Sequence, residues 1–258
     1  DSGMVKGCVR KVLAEPTLLK LNFGIMCLHI LLMSTFVALP GQLEAAGYPA
    51  AAHWKVYLCT MLISFVSVVP FIIYAEAKRK MKRVFLFCVA LLLIAEIVLW
   101  GAGPHFWELI VGVQLFFVAF NLMEALLPSL ISKESPAGYK GTAMGIYSTS
   151  QFLGVAIGGS LGGWLDGLFD SQTVFLVGAL LATVWLLVST TMKEPPYVSS
   201  IRVEIPPEVT ADESLAQRLR ETAGVSEAVV VADERSAYLK IDTKVTNRVE
   251  IEQQIRHA

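Results

Sequence analysis

Apolar positions along this chain fall into six long runs, followed by a polar tail from Val198 to Ala258. The runs are Leu18–Leu39, Trp54–Tyr74, Val84–Gly101, Phe106–Ile131, Gly141–Phe169 and Gln172–Met192. A bilayer core of about 30 Å takes about 20 apolar residues in a helix that rises about 1.5 Å per residue. Each run therefore predicts a membrane-spanning helix. Pro40-Gly41 is expected to end the first, and Gly101-Ala102-Gly103-Pro104 to separate the third from the fourth. Pro195-Pro196 stops the last helix and begins the water-soluble part. An even number of spans puts both ends of the segment on one side.

The tail has a different rhythm. Ile201, Val203 and Ile205 alternate with Arg202 and Glu204, and Ala237, Leu239 and Ile241 alternate again. Ala228–Val231 is a short apolar run, with Asp233-Glu234-Arg235 as the hairpin turn after it. Asp212 is placed to cap a helix carrying Leu215 and Leu219, which Gly224 ends. Val249, Ile251 and Ile255 suggest a second helix. The order β-α-β-β-α is a ferredoxin-like sandwich short of its last strand, which is either missing or formed by the final residues. The expected fold is an all-α membrane bundle followed by a small α+β domain. Residues 1–16 form a linker segment, 17–195 the bundle and 198–258 the domain.

A hydrophobic fraction of 55 % and a mean hydropathy of +0.60 agree with a membrane protein. No basic domain and no aromatic RNA motif is present, so nucleic acid is not an expected partner. Cys8, Cys27, Cys59 and Cys88 form no Cys-x-x-Cys pair and read as small apolar fillers. The chain starts Asp1-Ser2-Gly3-Met4 and reads as a fragment of something longer. Lys and Arg set the orientation. The dense run Lys78-Arg79-Lys80-Met81-Lys82-Arg83 marks a cytoplasmic loop, joined on that side by Lys6, Arg10, Lys11, Lys20, Lys133, Lys140 and Lys193. The other side has Lys55 with Glu44, Asp166 and Asp170. Both termini are expected in the cytoplasm of a bacterial inner membrane. Trp54, Trp100, Trp107 and Trp164 lie near the opposite ends as interfacial anchors.

Polar groups inside the runs are the candidate chemistry. A carboxylate at membrane depth costs about 2.5–3.5 kcal/mol on insertion scales, which makes Glu124 the sharpest candidate. Gln114, Asn121, Glu124 and Pro128 follow spacings of seven, three and four, one helical stripe that must face protein or a water-filled cavity. Glu124 reads either as a proton-exchanging group or as an inter-helix hydrogen-bond partner. His29 lies mid-span with Asn22 a heptad before it, and reads either as a proton relay or as a packing residue. Tyr147 and Gln151, four apart, present polar groups to a substrate or to neighbouring helices. Glu96 reads as structural or lipid-edge.

The fifth run carries Gly141, Gly145, Gly154, Gly158, Gly159, Gly162 and Gly163, and such spacing lets helix backbones approach closely. With the basic loop, this run resembles the eleventh helix of major facilitator superfamily drug/proton antiporters. A bacterial member of that superfamily also carries a small ferredoxin-like cytoplasmic domain. The resemblance implies that the six spans are helices seven to twelve, the C-terminal half of a twelve-helix transporter. Their partners would then be an N-terminal half of the same protein, protons, the lipid bilayer and a small-molecule substrate. It also implies that the first and fourth runs line the central cavity and that the third is peripheral. The segment Glu76–Arg83 looks like a degenerate copy of the family's loop motif; it keeps the basic run and lacks the Gly and Asp.

The resemblance makes a proton-coupled efflux antiporter the leading expectation. A membrane-anchored sensor with a ligand-binding tail is the alternative, but an anchor needs no polar stripe. An intramembrane enzyme is disfavoured because neither HExxH nor GxSxG occurs. The tail's first loop, Pro206–Asp212, has no thiol, so a metal-chaperone role is not expected. No metal and no cofactor are expected.

Overall fold

The computed structural model of the protein describes residues 8–257. Lys6, one of the predicted cytoplasmic charges, lies outside them. After a short helix α1 (Cys8–Leu13), six long helices follow: α2 (Pro16–Ala45), α3 (His53–Ala77), α4 (Met81–Ala102), α5 (Phe106–Glu134), α6 (Lys140–Leu168) and α7 (Ser171–Thr190). Five are apolar enough to cross a membrane by length and composition; α6 is the exception. Its glycines and serines dilute its hydropathy. The first helix does not stop at Pro40 but runs to Ala45, and α3 and α5 likewise carry Pro70 and Pro128 inside them. In an apolar surround, opening the helix would leave several backbone groups without partners, so the helix continues past a proline that removes a single donor.

The chain divides into two compact units. The larger comprises Lys20–Leu127 and Ser148–Glu194. In it α4 packs along α7, where Phe85 meets Trp185 edge-to-face at 6.1 Å. Trp185 also fills the space beside Gly24 of α2, where a Cβ would lie 3.1 Å from the indole Nε1. Glu96 is fully buried rather than lipid-edge. It accepts a 2.6 Å hydrogen bond from Thr35 of α2, and Gly178 of α7 leaves room for its other oxygen. One carboxyl thus meets three helices.

The smaller unit contains the tail, Pro128–Tyr147 and the chain before Lys20. Its sheet is antiparallel with order β1-β3-β2, formed by β1 (Ser199–Glu204), β2 (Val225–Val231) and β3 (Ser236–Ile241). Helices α8 (Glu213–Glu221) and α9 (Arg248–Arg256) cover one face. Leu215, Leu219, Ile251 and Ile255 pack there on Val203, Ala237, Leu239 and Ile241. Asp212 and Asn247 cap the two helices, accepting from Leu215 N at 3.2 Å and Glu250 N at 2.9 Å. Val249, grouped by sequence with Ile251 and Ile255, is exposed instead. It lies two residues from Ile251, about 200° around the helix. Among the described residues the chain ends in helix rather than a fourth strand, which leaves β1 at the sheet edge.

Candidate functional site

Three glycines of α6 bring its backbone onto α2. A Cβ at Gly154 would lie 2.5 Å from the Met26 carbonyl oxygen, one at Gly158 2.7 Å from that of Ile30, and one at Gly162 2.8 Å from Ser34 Cα. Both series advance by four residues, so the two helices run in register as a small-residue seam. This is the close approach that the glycine spacing predicts. Its consequence is positional. Gln151, one turn before Gly154, is brought against His29, one turn after Ile25.

His29 is buried, and its Nδ1 lies 3.1 Å from the Ile25 carbonyl oxygen. A carbonyl can only accept, so Nδ1 carries a proton and Nε2 of the neutral ring holds a lone pair. Two groups from two other helices meet that atom. The amide Nε2 of Gln151 on α6 stands 3.2 Å away, and Glu124 Oε1 on α5 stands 3.3 Å away. Phe120, one turn before Glu124, closes one side with its ring edge-to-face at 5.8 Å. While His29 Nε2 is bare it accepts from Gln151, and Glu124 Oε1 is buried without a hydrogen bond. Once Nε2 is protonated, the same 3.3 Å contact is an ion pair. The arrangement can hold and exchange a proton between an imidazole and a carboxylate. Glu124 keeps 37 % of its side chain accessible.

The polar stripe of α5 divides. Gln114 donates to the Thr60 carbonyl at 3.1 Å and to Ser64 Oγ at 3.0 Å, and Asn121 donates to Met61 Sδ at 3.2 Å, all on α3. Seven residues return almost to the same azimuth, so Gln114 and Asn121 share a neighbour. Glu124, three residues on, is turned about 60° from Asn121, towards α2. Asn22 is buried with its Oδ1 unpartnered and makes no described contact with the His29 cluster. Tyr147 is buried one turn before Gln151. Of the basic loop, Lys78 caps the C-terminus of α3, Arg79 adopts a left-handed backbone with φ 53°, and Lys80 is the N-cap of α4. Lys82 and Arg83 lie in the first turn of α4. Trp54, Trp100, Trp107 and Trp164 are all exposed.

Sequence reasoning missed Thr35 as the partner of Glu96, since one threonine in an apolar run is unremarkable. It also missed Lys240. This strand lysine is 2 % exposed and donates to the Lys133 carbonyl oxygen, with Glu227 at 3.9 Å. Desolvation lowers its pKa from 10.5 to about 8. Nothing in the alternation of β3 marks it, because it occupies the face that the helices do not cover.

Residues 201–257 match the family model of the YajR YAM domain. Over all 258 residues the chain is 76 % identical to the inner membrane transport protein YajR of Escherichia coli K12, covering 57 % of that protein. It is 41 % identical over 135 residues to an uncharacterized transporter of Buchnera aphidicola from Acyrthosiphon pisum, which is 52 % of this chain and 35 % of the relative. A match of 25 % over 151 residues, 57 % of this chain and 36 % of the relative, joins it to the multidrug resistance protein MdtG of Dickeya zeae. The chain thus spans about half the length of the curated relatives it matches.

Proposed function

We propose that this chain, a close relative of the YajR-type transporters of the major facilitator superfamily along its whole length, is the C-terminal half of a proton-coupled secondary transporter. The transporter is an efflux antiporter for small molecules in the bacterial inner membrane. The positive charge of the run 78–83 supports a cytoplasmic side for that loop, both termini and the tail, and the tail is read there as a regulatory or docking module. An N-terminal half of the same protein completes the cavity.

The observation that carries this reading is the convergence of Gln151 and Glu124 on one imidazole nitrogen. A charge-assisted hydrogen bond contributes about 1.5–3 kcal/mol, against about 1 for a neutral one. A bare Nε2 therefore ties α2 to α6 through Gln151, and a protonated Nε2 ties α2 to α5 through Glu124. Proton arrival changes which helix His29 holds, and this biases the rocking of a carrier half around its central site. A sensor's membrane anchor needs no such exchange.

The test uses the full-length protein with Glu124→Gln. In proteoliposomes carrying a pH gradient, efflux of ethidium as probe is expected to lose its dependence on that gradient while expression and monodispersity are retained. In the detergent-solubilised protein, the infrared carboxyl band that titrates in the wild type is expected to vanish in Glu124→Gln and to shift in His29→Gln. A wild-type band titration in Glu124→Gln would remove this residue from the mechanism.

A further inference from the structure

A groove between α3 and α4 is unused by the proton site. It encloses about 410 Å³ and is lined by Pro70, Phe71, Tyr74, Arg83, Val84 and Phe87. Phe71 and Phe87 stack across its floor with centroids 5.7 Å apart and an interplanar angle of 18°. Both rings are exposed, yet one end of this apolar trough is polar: Arg83 Nη1 lies 3.5 Å from Tyr74 Oη.

The helical phases extend that polar end. Along α3, Pro70 and Tyr74 are four apart, and four more residues reach Lys78. Along α4, Phe87 and Arg83 are four apart, and three more residues back reach Lys80. Residues three and four apart share a helix face, so both walls of the groove run from aromatic rings to cations at the same end. Lys78, Lys80 and Arg83 are all exposed. Glu76 is the acidic residue of this stretch, and it lies two residues from Tyr74, about 200° around α3 and off the groove.

An apolar trough with cations at the depth where the helices leave the hydrocarbon has the chemistry of a phospholipid with an anionic headgroup. We infer that this groove binds one such lipid, its phosphate held by Arg83 and Tyr74 with Lys78 and Lys80 alongside, and an acyl chain lying on Phe71, Phe87 and Val84. The guanidinium fork suits a phosphate, and cations beside an anionic bilayer surface contribute about 1 kcal/mol each.

The test is native mass spectrometry of the full chain released from nanodiscs of mixed phosphatidylglycerol and phosphatidylcholine. Phosphatidylglycerol is expected to be retained in preference. Arg83→Gln and, separately, Lys80→Gln at the exposed N-cap are each expected to reduce that preference about fivefold. Phe87→Ala is expected to weaken retention with every cation in place, and added inorganic phosphate is expected not to displace the lipid. Thermal melts confirm that each variant is folded. Equal retention of the two lipids, an unchanged preference in both charge variants, or displacement of the lipid by phosphate would each overturn the assignment.

Discussion

In the C-terminal domain, closeness follows apolar bulk; in the bundle it follows the absence of a side chain. Leu215, Leu219, Ile251 and Ile255 meet a sheet face of Val203, Ala237, Leu239 and Ile241, and Asp212 and Asn247 sit at the helix caps. In the bundle, the tightest seam is Gly154, Gly158 and Gly162 against the backbone of Met26, Ile30 and Ser34. The polar groups there lie inside: Thr35 with Glu96, and His29 with Gln151 and Glu124. The solvent explains the difference. Water drives apolar surface together, whereas lipid tails are as apolar as leucine and give no such drive between helices. Helix partners in a bilayer are chosen by shape and by internal hydrogen bonds.

The most severe disruption of the glycine seam is expected from Gly158→Leu. Its Cβ would sit 2.7 Å from the Ile30 carbonyl oxygen and 2.8 Å from Ile30 Cα, backbone atoms that cannot swing aside. Loss of the monodisperse species in size-exclusion chromatography is expected, whereas Gly159→Ala, with nothing within 4 Å, should elute as wild type.

In the tail, Leu219→Ala removes a buried side chain from a core that water holds together. It is expected to cost about 2–5 kcal/mol, read from amide exchange of residues 201–257 in the full chain. Truncation of an exposed apolar residue on a bundle helix, such as Leu187→Ala, should not approach that figure.

Lys240 sharpens the contrast, being a buried charge in the water-driven unit. Its folded pKa of about 8 lies below the ordinary 10.5, chiefly through desolvation. Between those values the unfolded chain binds more protons than the folded one, so the stability of the tail rises with pH from about 8 to 10.5. The gain is expected to be about 3 kcal/mol at most, and absent in Lys240→Met, by the same exchange measurement. The smallest effect is Asn247→Ala. It removes the cap on Glu250 N and should cost about 1 kcal/mol, confined to the amides of α9.

The long helices were legible because about 20 apolar residues in a row have few other uses, and Glu124 and His29 stood out because ionisable groups there are expensive. The tail was legible from its period-two alternation and from Asp212 at its cap. What stayed hidden were the partners. Gln114, Asn121 and Glu124 read as one stripe, but the turn between Asn121 and Glu124 delivers them to different helices. Pro40 read as a stop, yet α2 continues to Ala45, because opening the helix in an apolar surround would leave several backbone groups unpaired where proline leaves one. Glu96 carried the same sequence signal as Glu124, yet it is sealed among three helices while Glu124 faces a histidine and remains partly open.

The six long helices, the three strands, and the side chains too costly to sit in an apolar surround without a reason could all be read from the amino-acid sequence. Hydrophobic period and desolvation are local properties and can be read along a line. The meeting of Gln151 and Glu124 at one nitrogen of His29, and the burial of Lys240, come from packing between distant segments. The first depends on the azimuth and separation of helices, which the glycine contacts between α6 and α2 help to set, and the second on Lys133, 107 positions earlier in the chain. No local pattern encodes such a distance.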